Sequence, residues 1–125
     1  MLIVKSRPWA EIAERYRSLS ETHAAFRSMQ NLVEQIAASK YSSGLFAATS
    51  MQALLIAQTP EFDWEKEVLR VSLDVHSGEL VFDFQEASSN HPKYQHWIRR
   101  CSPEEGFTRL ERFFALKKWF VEYKT

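Results

Sequence analysis

The residues with the chemistry to act on a substrate gather in two short stretches. His91, His96 and Cys101 follow one another at five-residue intervals, with Glu104 and Glu105 just beyond. Asp74 and Asp83 flank a Ser77-Gly78 pair, and Gln85 follows the second of them. The first set has the residue types of a zinc site or of a Cys-His nucleophile pair. The second has the carboxylates of a magnesium-dependent hydrolase. Geometry decides between these readings. Zinc ligands stand about 2.0–2.3 Å from the ion, so three donors must converge on one point. Residues five apart point to opposite faces of a strand and stand about 140° apart around a helix. Neither regular conformation brings His91, His96 and Cys101 together. Cys101 does lie between Arg100 and a predicted helix start, where a thiol pKa falls, but a lone cysteine at a strand end usually serves as a small filler. The stretch is expected to be structural, with no metal and no cofactor.

The aspartates must be read with the element that carries them. Leu69, Val71, Leu73 and Val75 alternate with Arg70, Ser72, Asp74 and His76, and Leu80, Phe82 and Phe84 alternate with Val81, Asp83 and Gln85. Ser77-Gly78 between the runs predicts a two-residue hairpin turn. That turn pairs His76 with Glu79, Val75 with Leu80, Leu73 with Phe82 and Val71 with Phe84. The apolar side chains then share one face, and Asp74 and Asp83 lie diagonally across the other. Two carboxylates on a hairpin with a polar residue after the second loosely resemble the metal site of restriction-endonuclease-like nucleases. Gln85 stands where that pattern has a lysine, and no helix with a basic face follows. The expected role of the two aspartates is to solvate an exposed sheet face beside Arg70. A metal-dependent hydrolase using Asp74, Asp83 and Gln85 is the alternative.

Other elements frame the hairpin. Residues 2–5 predict a short strand, and Pro8 opens a helix whose stripe is Trp9, Ile12, Ala13, Tyr16 and Leu19. Ser18 and Glu21 have capping-box spacing, with Ser20 as a rival cap, so a second helix is expected to restart there. Its face would be Thr22, Phe26, Met29, Val33, Ile36 and Lys40, about five turns long. Residues 45–58 form an apolar run that periodicity alone does not assign. The loop signal Ser42-Ser43-Gly44 favours two short antiparallel strands near 44–49 and 52–58. Ser102, Pro103 and Glu105 predict a capped start to a last helix with Phe107, Leu110, Phe113 and Phe114 facing inwards and Arg112, Lys117 and Lys118 outwards. Beyond it, "FVEYK" extends the helix or folds back. The fold class is α+β: two N-terminal helices, an antiparallel meander of about four to five strands, and a C-terminal helix on one face of the sheet.

The 125 residues suit one domain spanning 1–125. Sixteen basic and sixteen acidic residues cancel, so no global field steers the chain to nucleic acid or an anionic membrane. A single cysteine, no signal-peptide core and no membrane-length apolar run point to the cytoplasm. Nine Phe, four Trp and four Tyr exceed what chemistry requires here and suit a protein interface. Two surfaces carry aromatics among charges: Phe62, Asp63, Trp64 and Glu65, and Trp97, Arg99 and Arg100. The expected function is that of a non-enzymatic module binding another protein, of the immunity or accessory-subunit kind, with self-association compatible with it.

Overall fold

The structure, a computed structural model, describes residues 4–62, 67–86 and 95–119. The elements are β1 (Val4–Lys5), α1 (Trp9–Thr22), α2 (Arg27–Ala37), β2 (Phe46–Ser50), β3 (Ala53–Ala57), β4 (Glu61–Phe62), β5 (Val68–Leu73), β6 (Leu80–Glu86), β7 (Gln95–Cys101) and α3 (Gly106–Lys117). Strands β2-β3-β5-β6-β7 form a five-stranded antiparallel sheet in that spatial order, and β1 pairs with β4 in a separate two-stranded ribbon. The α+β meander with two helices before it and one after it is therefore the observed fold. Residues 45–58 do form a strand pair, β2 and β3.

Alternation along the strands gives the sheet two unlike faces. On the inner face, Leu54, Ile56, Leu69, Val71, Leu80, Phe82 and Phe84 are buried against Ile12, Tyr16, Met29, Val33, Leu110 and Phe113 from the three helices. On the outer face a smaller cluster joins Ala48, Leu55, Ala57 and Val68 to Phe62 of β4. The apolar run at β3 thus reflects burial on both sides, which is why it carries no alternation.

The central hairpin pairs two residues out of the expected register. Leu73 stands opposite Leu80, Val71 opposite Phe82 and Leu69 opposite Phe84. The reason lies in Asp74. Its Oδ1 accepts from the backbone N–H of His76 at 3.0 Å and of Ser77 at 3.3 Å, the side-chain mimic of a turn that aspartate favours. Asp74 N–H donates to Glu79 O and Gly78 N–H to Asp74 O, so the loop holds four residues, Val75 to Gly78, with Gly78 at φ 79°. Val75 lies in that loop, 56% exposed, instead of in the core. A shift of two preserves the face of every residue that stays in a strand, so apart from Val75 the inner face of the hairpin is as expected.

The helices also depart from expectation. α1 does not stop at Ser18; it runs through to Thr22. Ser20 Oγ donates to Arg17 O at 2.7 Å and lies 3.2 Å from Gln30 Oε1, so the hydroxyl bonds back into its own helix and does not cap a new one. Arg17 ties Glu14 to Glu21 across the same turns. The break comes at His23, which is extended at φ −130°, ψ 104°. A 3-10 turn, Ala24–Phe26, then leads into α2, whose 11 residues are fewer than the five turns expected. Met29, Leu32, Val33 and Ile36 are its buried face. Before α3, Ser102 Oγ donates to Glu105 Oε1 at 3.3 Å, replacing the side-chain acceptor of a capping box, and Pro103–Glu105 form a 3-10 turn. The segment 120–125 lies outside the described residues.

At the β2–β3 turn, Met51 and Gln52 both have positive φ, 51° and 70°. This backbone matches the twist of a hairpin, but it is one that Asn-Gly adopts most readily. Tyr16 Oη donates to Gln52 O at 3.0 Å and fixes the turn to α1. Left-handed backbone costs a side-chain-bearing residue roughly 1–2 kcal/mol. The double substitution M51N/Q52G is expected to raise unfolding free energy by about 1 kcal/mol in urea denaturation. Because the Tyr16 bond is to backbone, it survives the change.

Candidate functional site

A concavity bordered by four arginines lies between β7 and α3. Among the described residues β7 is the border strand of the sheet, and Ile98, Arg99 and Arg100 are exposed in succession along it. Alternation splits the two arginines. Arg99 stands opposite Phe82 on the inner face, and Arg100 stands opposite Val81 on the outer face. Arg99 Nη1 donates to Ile98 O at 2.8 Å. On the neighbouring helix, Arg109 and Arg112 lie three residues apart and therefore on one flank of α3. Arg99, Arg100, Arg109 and Arg112 border a cleft of about 90 Å³ whose floor is Phe82, Cys101 and Phe113 and whose rim includes Leu116.

Each nearby ionisable group has its own arrangement. Arg100 Nη1 donates to Asp74 Oδ2 at 2.9 Å and stands 3.6 Å from Glu79 Oε1, joining β7 to the hairpin loop on the outer side. That guanidinium, helped by the His76 and Ser77 N–H groups, holds the Asp74 carboxyl down at about 2. A carboxyl lowered in the folded state stabilises the fold above its ordinary titration range and loses that contribution as pH falls through its folded value. The Asp74 contribution should therefore disappear between about pH 4 and pH 2. Asp74→Asn should flatten that part of the acid unfolding curve, read by circular dichroism, while leaving the curve above pH 5 parallel to that of the parent.

Burial pushes the Cys101 thiol above its usual value; Arg109 opposes this, while Glu105 and Glu79 add to it. A thiol so placed stays protonated at neutral pH and behaves as a buried filler. It forms part of the cleft floor without the activation that a nucleophile needs.

The other expected site residues are dispersed. With the register shifted, Asp83 pairs with Arg70, four residues before Asp74 on β5, so the aspartates lie roughly 13 Å apart along the strand direction and not on a close diagonal. Both Asp74 oxygens are already engaged. Gln85 stands opposite Val68 and His96 in register. Among the described residues, no group of three His, Cys, Asp or Glu is placed to hold a metal ion. Phe62, expected at a partner surface, is 1% exposed and packs in the outer cluster, where its ring pins β4 to the sheet. Asp63, Trp64, Glu65 and His91 lie outside the described residues, as does the side chain of Trp97.

Arg109 and Arg112 carry no sequence motif. Their three-residue spacing beside the buried Phe113 is the signal that was there to find, but it becomes a site only when β7 is known to run alongside α3. No family model matches this chain, and no curated protein or solved structure matches it.

Proposed function

We propose that this chain is a small protein-binding module that engages another protein through β7 and the adjoining flank of α3. One observation carries the reading: a border strand with three consecutive exposed residues, Ile98, Arg99 and Arg100, next to an arginine-lined cleft. A border strand offers backbone donors and acceptors to an extended partner, and strand addition is a recurring mode of peptide recognition. Arginine is among the residues that concentrate binding energy at interfaces. Ile98, 45% exposed, supplies an apolar contact on the outer face of β7, the side of Arg100. Within this class the reading is a cytoplasmic immunity-type or accessory protein. Its small size, zero net charge and single thiol support that reading. No helix among the described residues is long and apolar enough to cross a membrane.

The test is affinity capture from the native host with the tagged chain, alongside an Ile98→Lys/Arg99→Glu variant. The expected result is one stoichiometric protein partner, retained by the parent and lost by the variant. Equal capture by both would remove β7 from the interface. The metal-hydrolase alternative makes a different forecast: Mg²⁺ or Mn²⁺ would raise the melting temperature, and Asp83→Asn would abolish the rise.

A further inference from the structure

We propose that β7 also pairs with β7 of a second copy of this chain, antiparallel about a two-fold axis through Ile98, so that two sheets join into one. The inference rests on the binding-module reading, because it uses the same border strand. Self-pairing covers the edge that another protein would need, so the two compete. The two borders of the sheet are finished differently. At β2, Arg7 N–H donates to Ala47 O at 2.7 Å in an antiparallel bridge, and Trp9 Nε1 donates to Leu45 O at 3.2 Å. The chain entering α1 therefore closes that edge. β7 has seven residues against the five of β2, and it follows β6 one for one from Gln95 to Cys101, with no bulge and no proline. Among the described residues no strand lies on its far side. A long, regular border strand is a template for a further strand unless a bulge, a proline or charge prevents it.

Charge is the device that β7 does carry, and it selects a register. Ile98 is the middle residue of Gln95–Cys101, so an axis there pairs every residue of the strand. Arg99 then stands opposite Trp97 of the second copy, and Arg100 opposite its His96. An axis at Arg99 would set that arginine against itself, and one between Arg99 and Arg100 would oppose the two. Like charges directly opposite destabilise a sheet, so the arginines reject those registers and leave the centred one. Ile98, 45% exposed, meets its own copy on the outer face. Leu116, 61% exposed on the rim of the cleft beside Arg99, lies on the inner side of the same border. Exposed apolar side chains thus flank this edge on both sides of the sheet. Ile98 O accepts from Arg99 Nη1 at 2.8 Å, so the carbonyl at the centre of the strand is within reach of a donor. Contact along one strand buries less than the ~1,200–2,000 Å² of stable complexes, which makes the association weak and reversible.

Sedimentation equilibrium of the full chain, carried to about 1 mM, tests this. The parent should show a reversible monomer–dimer equilibrium. Ile98→Lys sets two ammonium groups against each other at the axis and should weaken association by about tenfold or more. An unchanged melting temperature in dilute solution shows that this variant folds. The register has its own readout. Residues directly opposite across antiparallel strands have Cα atoms about 4.5–5.5 Å apart, within disulfide reach. In a Cys101→Ala background, Ile98→Cys should therefore cross-link to its own copy under mild oxidation. Met51→Cys in the same background places a thiol at a more exposed position, 89% against 45%, and should cross-link about tenfold more slowly. Equal rates would mean random collision and overturn the inference. So would a parent that stays monomeric throughout, or a dimer that Ile98→Lys leaves intact. If the parent were monomeric and Ile98→Lys/Arg99→Glu still lost the host partner, self-pairing would fall while the binding-module reading stood. If the cross-linked Ile98→Cys dimer captured that partner at parental strength, self-pairing would stand and β7 would leave the partner interface.

Discussion

Phe84→Ala is expected to lower the unfolding free energy by about 3–5 kcal/mol, the range for removing a fully buried ring. Phe84 is 0% exposed on the inner face of β6. Its ring meets Phe113 edge-on at 4.9 Å between centroids and Trp119 at 6.3 Å. Lys117 Nζ lies 5.0 Å from its centroid. Phe113, Phe114 and Trp119 contact one another as well, so the ring joins α3 and the chain just after it to the sheet. A cavity here cannot close easily, because α3 is also held elsewhere, by the Tyr41 hydroxyl donating to Glu111 at 3.0 Å and by Trp119 Nε1 donating to Glu67 at 3.0 Å. Urea unfolding followed by tryptophan fluorescence reads the change. A loss below about 1 kcal/mol would mean that the aromatic cluster repacks freely and does not anchor α3.

Phe62→Ala should cost about 3 kcal/mol, the lower end of the same range. The ring is nearly as buried as that of Phe84, but its cluster has fewer members: Ala48, Ala57, Leu55 and Val68 on the outer face, with half-buried Phe46 packed against them. It rides on β4, a two-residue strand paired with β1. With the ring gone, the ribbon is free to lift, and the amides of Lys5 and Ser6 should exchange hydrogen faster than those of the five-stranded sheet. Ser6 N–H donates to Pro60 O at 3.0 Å, which makes it a direct reporter of the ribbon. Partner capture by the folded fraction should be unchanged, because the ring faces the sheet and not solvent. Selective loss of capture with stability intact would return Phe62 to the interface.

The sheet was largely legible because its signal is local. Alternation from Leu69 to Phe84 assigned the inner face, and the bracketed run before it could be divided into two strands. What failed were choices settled by one side chain. Ser77-Gly78 looked like a complete turn, but Asp74 captured two N–H groups and lengthened the loop. Ser18 and Ser20 looked like caps, but the Ser20 hydroxyl turned back to Arg17 and across to Gln30, a residue of the next helix. The same limit applies to the candidate site. Arg99 and Arg100 stood out as a charged pair, but their assignment to opposite faces depends on register. Arg109 and Arg112 acquire meaning only from the strand beside them. Phe62 among acidic residues looked like a binding edge because the outer face of β3 had not been recognised as apolar.

In the five-stranded sheet, spatial order repeats chain order from β2 to β7. Sequence neighbours in this sheet are also spatial neighbours, so no strand has to be reached by a crossover past another, and low sequence separation keeps closure entropy small. Synthesis, however, delivers α1 and α2 first. Their apolar faces have nothing to pack against except each other until β3, β5 and β6 leave the ribosome. The early chain thus holds an incomplete helical pair until those strands emerge, and β7 and α3 follow them to cover the core. Premature termination anywhere before β7 would release a product with uncovered aromatic surface, the form of this protein most in need of a chaperone.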